Sequence, residues 1–178
     1  MVELLKSLIM RYRLNTTDQW HLADLYAKYY GVKFGKNVRI TGRVSFGSEA
    51  YLIDIGNDVT LTQDVVFHTH DGGSALFRDE LPGINVFGPI KIGNNVFIGS
   101  HTILLPNVTI GDNVIIGAGS VVSKSIPSNV VAAGVPARPI RTIEEYKTKV
   151  RKYGVAVIEE NFEKRKKIIL DHLNIPSK

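Results

Sequence analysis

Between Ile92 and Pro127 the apolar positions recur every six residues. Ile92, Ile98, Leu104, Ile110, Ile116 and Val122 share one phase, and glycine directly follows four of these six. A helical stripe and a simple strand alternation both have other periods, so the hexad is a unit of architecture. Four residues after each phase position stand Val96, Thr102, Val108, Val114, Ser120 and Ile126, all small or β-branched. Two inward positions per hexad predict a solenoid with three short faces per coil. The bulky phase residue fills the interior and the smaller one relieves crowding. Glycine at the next position is expected to let the backbone turn a corner without a Cβ clash. The expected product is a parallel β-helix whose coils bury their open faces on one another.

The same register appears earlier, less regularly. Phe34, Ile40 and Phe46 form one run with Val38, Val44 and Ala50 as small partners, and Ile55, Leu61 and Phe67 form a second with Val59 and Val65. Three extra residues separate the runs. The repeat also stops between Asp71 and Pro89, where Gly72-Gly73, Pro82-Gly83 and Gly88-Pro89 punctuate the chain. Such a segment cannot stack as a coil, so residues 72–89 are expected to project as a loop, and a long patternless loop with two histidines at its base reads as functional.

The termini lie outside the repeat. Leu4, Leu5 and Leu8 at helical spacing, followed by Asp18, Trp20, Leu22, Leu25 and Tyr26, predict one or two short helices over residues 1–30 that cap the first coil, whose edge would otherwise be unpaired. Thr142 before Glu144 and Glu145 reads as a helix start whose acidic first turn suits the helix dipole. Helices are expected over 143–153 and 157–173, separated near Gly154. The resulting organisation is a cap at 1–30, the β-helix at 31–141 and a helical extension at 142–178. Trp20 and His21 read as core or surface residues of the cap.

Composition narrows the picture. With 178 residues, 44% of them hydrophobic, the chain can bury one core with appendages, and without cysteine it has neither disulfides nor thiolate metal sites. The net charge of +5 owes part of its excess to consecutive Lys164, Arg165, Lys166 and Lys167. These read as the solvated face of a helix. No aromatic platform for single-stranded nucleic acid is interleaved with them, so no nucleic-acid partner is expected. Charges interrupt the apolar residues of the opening stretch, and nothing approaches the roughly 20 apolar residues of a membrane span. The expected location is the cytoplasm, with no integral membrane segment.

Residues 92–141, IGNNVFIGSHTILLPNVTIGDNVIIGAGSVVSKSIPSNVVAAGVPARPIR, resemble the CoA-binding half of the hexapeptide-repeat acyltransferases, especially the galactoside, maltose and xenobiotic O-acetyltransferases. The GAGSVVSK turn at Gly117–Lys124 and the AAGVPARPIR exit at Ala132–Arg141 carry the resemblance beyond what a β-helix needs. It extends upstream to about Phe34, and the terminal helices loosely resemble those of bacterial polysaccharide-biosynthesis acetyltransferases. The resemblance implies a left-handed parallel β-helix, a hand opposite to the usual right-handed crossover. It also implies a homotrimer with active sites between neighbouring subunits, and acetyl-CoA as co-substrate without a metal.

Acetyl transfer from a thioester to a sugar hydroxyl needs a base, an oxyanion donor and placement of both substrates. His70, in Phe67-His68-Thr69-His70-Asp71, matches the family's catalytic histidine. His68, two places earlier, is the competitor, and Asp71 is one candidate to orient the imidazole, as is a backbone carbonyl. The Ser100 backbone N–H matches the oxyanion donor. Ala118 and Ser123 match pantetheine contacts, while Lys124, Arg138 and Arg141 match the phosphate-bearing end of CoA, where long cations neutralise anionic oxygens. Acceptor contacts are expected from the early coils and the loop, with Asp54, Asp79 and Glu80 as candidates. Asp79 and Glu80 are also candidates for the acid that steadies the histidine.

These residues point to an acetyl-CoA-dependent O-acetyltransferase acting on a saccharide hydroxyl in surface-polysaccharide biosynthesis. A xenobiotic, antibiotic-directed O-acetyltransferase is the alternative. His68, His70 and His101 also raise a γ-carbonic-anhydrase-like zinc site, but that family's close histidine pair on the next coil is missing, since Thr-Ile-Leu-Leu-Pro follows His101. An inactive trimeric scaffold would need neither the base nor the CoA exit, and both are present.

Overall fold

Each strand of the repeat from β1 to β6 and from β9 to β14 sets one outward residue next to one or two inward ones, so strands of two or three residues alternate with corners. The computed structural model describes residues 12–176; the spacing of Leu4, Leu5 and Leu8 lies outside them. The first circuit comprises β1 (Lys33–Phe34), β2 (Arg39–Ile40) and β3 (Val44–Ser45), and the second β4 (Ile53–Ile55), β5 (Thr60–Leu61) and β6 (Val65–Phe67). A hairpin of β7 (His70–Asp71) and β8 (Val86–Phe87) intervenes. Then come β9 (Ile90–Ile92), β10 (Val96–Ile98) and β11 (Ile103–Leu104), followed by β12 (Thr109–Ile110), β13 (Val114–Ile116) and β14 (Val121–Val122). The hairpin of β15 (Val130–Gly134) and β16 (Ala137–Thr142) closes the series.

Successive strands visit three sheets in rotation. The first wall has the order β1-β4-β9-β12, the second β16-β15-β13-β10-β5-β2 and the third β14-β11-β6-β3. Pairing within the walls is parallel and in register except for β15 with β16, so the structure is mainly β, built of parallel sheets with short helices. Every hexad phase residue from Ile92 to Val122 is buried, as are all six of their small partners. Two of those partners are polar. Thr102 donates to the Gly99 carbonyl at 2.6 Å and Ser120 to the Gly117 carbonyl at 2.6 Å, which satisfies both hydroxyls inside the core.

Corners depart from the glycine expectation. Gly56, Gly93 and Gly99 are not the left-handed residues; that conformation falls two places later, on Asp58, Asn95 and His101. The glycines are needed because circuits stack closely: a Cβ on Gly56 would lie 2.6 Å from the Gly93 carbonyl oxygen. The left-handed Asn and Asp side chains bond circuit to circuit. Asn95 donates to Asn113, and Asn113 to Asn129, at 2.9 and 3.0 Å. Asn tolerates this conformation because its short amide bonds locally.

Helix α1 (Leu22–Tyr30) ends at Gly31, whose φ of 77° is left-handed, a common helix stop. It buries Leu22, Ala23 and Tyr26 against the first circuit. Tyr26 packs edge-on against Phe46, which stacks on Phe67, so an aromatic row runs inward from the cap. Trp20 stays half exposed, beneath the Arg39 guanidinium.

Residues 144–176 belong to a separate compact unit. Helix α2 (Ile143–Tyr153) leads into it, with Glu144 and Glu145 in the first turn. Helix α3 (Phe162–His172) starts later than residue 157, because Asn161 caps it by accepting from the Lys164 N–H, while the β-branched stretch before it forms no regular element. No helix among the described residues is long and apolar enough to cross a membrane.

Candidate active site

The third wall divides the candidate residues into two corners. Thr62, Ser100 and Ala118 stand on successive circuits just before its strands. The Ser100 hydroxyl donates to Thr62 Oγ1 at 3.2 Å, and Gly119 N–H donates to the Ser100 carbonyl at 2.8 Å. Among the described residues, no acceptor bonds the Ser100 N–H. His68, Leu105 and Ser123 stand just after the strands, as the register Phe67, Leu104, Val122 dictates. His68 N–H donates to the Leu104 carbonyl at 2.9 Å and Leu105 N–H to Val122 at 3.0 Å. Lys124 follows Ser123, and both are exposed. Within one chain, Ser100 and His70 therefore lie at opposite edges of the same wall.

Alternation across Phe67, His68, Thr69 and His70 turns Phe67 and Thr69 inward and both histidines outward. The expected loop is better built than its composition implied. His70 pairs with Phe87 and Asp71 with Val86 in the antiparallel β7–β8 ladder, and Gly88 N–H closes the neck on the Thr69 carbonyl at 2.8 Å. Asp71 does not orient the imidazole. Its carboxylate accepts from the Gly73 N–H at 2.8 Å and caps the 3-10 turn Gly72–Phe77.

The acid that meets His70 is Glu49. Its Oε2 lies 2.8 Å from His70 Nδ1 and 3.1 Å from the Thr69 hydroxyl, which donates to it. The Glu49 side chain is 18% exposed and that of His70 42%, so the pair is shielded on the glutamate side and open on the other. A side-chain hydrogen bond from Ser48, and next that from His70, hold Glu49 below the ordinary carboxylate range, against the opposing effect of burial. An ionised carboxylate can only accept, so His70 Nδ1 donates in this bond, and in the neutral ring Nε2 is then the acceptor.

Asp79 and Glu80 do not take this role. They follow the 3-10 turn, exposed, with the Glu80 N–H bonded to the Phe77 carbonyl. Asp54 sits on the outer face of the first wall, level with Lys33 and Lys91, on a different sheet from the strand leading to His70. Arg138 and Arg141 both lie on β16, opposite Ala133 and Val131. His101 is held apart from the other histidines near Asp64, which Arg43 bonds at 3.1 Å. Among the described residues, no His, Asp and Glu cluster forms a metal site.

An open groove of about 1320 Å³ runs beside the early circuits, lined among others by Tyr26, Tyr30, Arg43, Ser45, Asp64 and His101. Its lining reaches Gly47 but not His70. The Gly72–Phe77 turn and the segment up to β8 expose Leu76, Phe77, Leu81, Ile84, Val86 and Phe87, an apolar surface that the charges at Arg78, Asp79 and Glu80 did not foreshadow.

The family described as bacterial transferase hexapeptide (six repeats) matches residues 89–124. Protein CapG of Staphylococcus aureus is 49% identical over 153 residues, which span 85% of this chain and 89% of that protein. The galactoside O-acetyltransferase of Escherichia coli K12 is 42% identical over 119 residues, 63% of this chain and 57% of that enzyme. Among solved structures, a maltose O-acetyltransferase from Clostridium difficile 630 aligns with TM-score 0.58 and 32% identity over 76% of this chain and 83% of its own. A galactoside acetyltransferase in complex with coenzyme A aligns with TM-score 0.56 and 29% identity, over 88% and 87%. Hexad walls, the CoA-type exit and these extended identities converge: the chain belongs to the hexapeptide-repeat acyltransferases, enzymes that take their acyl group from CoA.

Proposed function

We propose that this chain moves an acetyl group from acetyl-CoA to a saccharide hydroxyl during surface-polysaccharide assembly, within a trimer of left-handed β-helices. The observation that carries the reading is the accessible His70 imidazole with one nitrogen held by a carboxylate and the other free. In this scheme Nε2 takes the acceptor hydroxyl proton as the oxygen attacks the thioester carbonyl. The tetrahedral oxyanion is bonded by the Ser100 N–H. Collapse breaks the carbon–sulfur bond, and the imidazolium returns its proton to the leaving CoA thiolate.

Placement of His70 and Ser100 at opposite edges of the third wall supports a site made by two copies, His70 from one and Ser100 from the next. The walls differ in a way that fits this. The first wall turns Lys33, Asp54, Lys91 and Thr109 outward. The third turns out Ser45, Val66, Ile103 and Val121, mostly apolar and suited to a second copy. Ala118 and Ser123 would flank pantetheine, and Lys124, Arg138 and Arg141 would meet the phosphates. Arg43, Asp64 and His101, on the corner just before the third wall's strands, would give a polyhydroxylated acceptor its polar contacts. The names of galactoside and maltose O-acetyltransferases agree with such an acceptor. The exposed apolar side chains of the β7–β8 segment favour a second reading, an antibiotic alcohol as acceptor.

Thiol release from acetyl-CoA, followed across panels of free sugars, nucleotide sugars and hydroxylated antibiotics, tests both readings. His70→Ala should lower turnover roughly 10²–10⁴-fold with little change in CoA affinity, and His68→Ala far less. Efficient turnover of an antibiotic with none on any saccharide overturns the acceptor, and the reverse ranking of the histidine variants overturns the base.

A further inference from the structure

We infer that helices α2 and α3 form a docking surface for an anionic lipid bilayer, lying in the headgroup layer with their apolar stripes toward the acyl chains. The inference stands apart from the acetyl-transfer reading, and its test needs neither donor nor acceptor.

Neither helix has a buried residue. A helix of 11 residues is marginal alone in water and ordinarily draws its stability from packing an apolar face. On α2 that face is Tyr146, Val150 and Tyr153, with Val150 49% and Tyr153 64% exposed. At about 3.6 residues per turn, Lys147 and Lys149 fall on its two borders. Lysines so placed lay their stems over apolar surface and lift their ammonium groups outward, and tyrosine suits the same boundary.

On α3 the stripe is Phe162, Ile169 and the C-cap Leu173, with Phe162 70% exposed. The run Lys164–Lys167 is not one solvated face, because four consecutive residues spread right around a helix. Arg165 and Lys166 border the stripe, with Ile168 and Leu170 just beyond them, and Lys164 and Lys167 lie behind. The segment between the helices adds Ile158, which is 98% exposed.

Charge selects the occupant. Four cations and no acid stand from Lys147 to Ile158, and again from Lys164 to Leu170. Lys147 and Lys164 lie 3.9 and 4.0 Å from the Glu144 and Glu159 carboxylates, exposed pairs that hold weakly. A second copy of this unit would bring like charges together, whereas the uncharged outward row of the third wall, Ser45, Val66, Ile103 and Val121, sets no such barrier. Anionic headgroups match the cations, and the acyl boundary beneath them matches the stripes between.

Flotation of the full chain with lipid vesicles tests this. Vesicles of equal parts phosphatidylcholine and phosphatidylglycerol should carry the protein at low salt, vesicles of phosphatidylcholine alone should leave it behind, and added salt should release it. Val150→Asp should weaken partitioning roughly tenfold, through loss of the apolar anchor, and Lys149→Gln roughly fivefold. Lys91→Gln on the first wall should change nothing. Absence of flotation with the mixed vesicles overturns the inference, as does equal flotation with the neutral ones. Equal losses in Lys149→Gln and Lys91→Gln also overturn it, because net charge alone would then explain the binding. So does unaltered partitioning of Val150→Asp, or a change in its mass by sedimentation equilibrium, which would give the stripe to a second copy. If Val150→Asp does not fold, Tyr153→Ser on the same stripe carries the test.

Discussion

His70 was visible in the sequence because it stands beside a glycine-rich break in a strict repeat. The pairing of Glu49, which the sequence offered only as a polar side chain for the acceptor, with His70 was not, because the two residues meet only after one full circuit has stacked on another. The signal that could have exposed it was the off-phase insertion containing an acid, one circuit upstream of the histidine. Asp71, Asp79 and Glu80 lay nearer in sequence and drew attention for that reason, yet Asp71 is consumed in capping a turn. The cations belong to this scale too. Lys124, Arg138 and Arg141 are all exposed, so in the proposed donor site each would act through reach rather than through a rigid pocket. Lys124→Ala and Arg138→Ala should raise the acetyl-CoA Michaelis constant more than they lower the turnover number, because groups remote from the reacting carbon bind ground state and transition state alike. Steady-state kinetics checks this, and a dephospho-CoA thioester should discriminate less between wild type and a variant that has lost a 3′-phosphate contact.

At the scale of elements, the hexad predicted which residues face inward, and all of those from Ile92 to Ile126 are buried. It did not predict the corner chemistry. Glycine was read as a conformational hinge, whereas the left-handed residue is an Asn, Asp or His two places on, and the glycine is there because the next circuit's backbone passes too close for a Cβ. Gly56→Ala should therefore cost about 1–3 kcal/mol, as overpacking against unyielding backbone does. Gly72→Ala, where a Cβ meets nothing within 4 Å, should stay within about 0.5 kcal/mol of the wild type. Urea denaturation midpoints measure both. The β7–β8 ladder was illegible for a related reason: its strands are two residues each and its pairing spans residues with no apolar period.

For the whole molecule, the proposed trimer makes the difference between walls the determinant of assembly. Ile103→Asp, in the apolar row of the third wall, should shift a trimer toward monomers and reduce turnover with it, since His70 and Ser100 would then lack their counterparts. Lys91→Ala on the polar first wall should leave the assembly unchanged. Sedimentation equilibrium reads both, and a wild-type monomer at micromolar concentration would refute the trimer.

Three stacked parallel ladders with in-register side chains share their geometry with a fibril, in which each added chain extends every ladder. This chain stops that growth at its own ends. On the second wall, Ile40 N–H is taken by the Gln19 carbonyl at 2.8 Å, beside the α1 cap. At the far edge the final strand, β16, reverses direction, contains Pro139 with no N–H to offer, and sets Arg138 and Arg141 along the border. Arginines on an edge strand are also the kind of charge that discourages copies from adding edge to edge. Arg138→Ala can thus be read on two independent axes, donor affinity and aggregation during concentration, and a rise in turbidity with an unchanged Michaelis constant would assign that arginine to guarding the border.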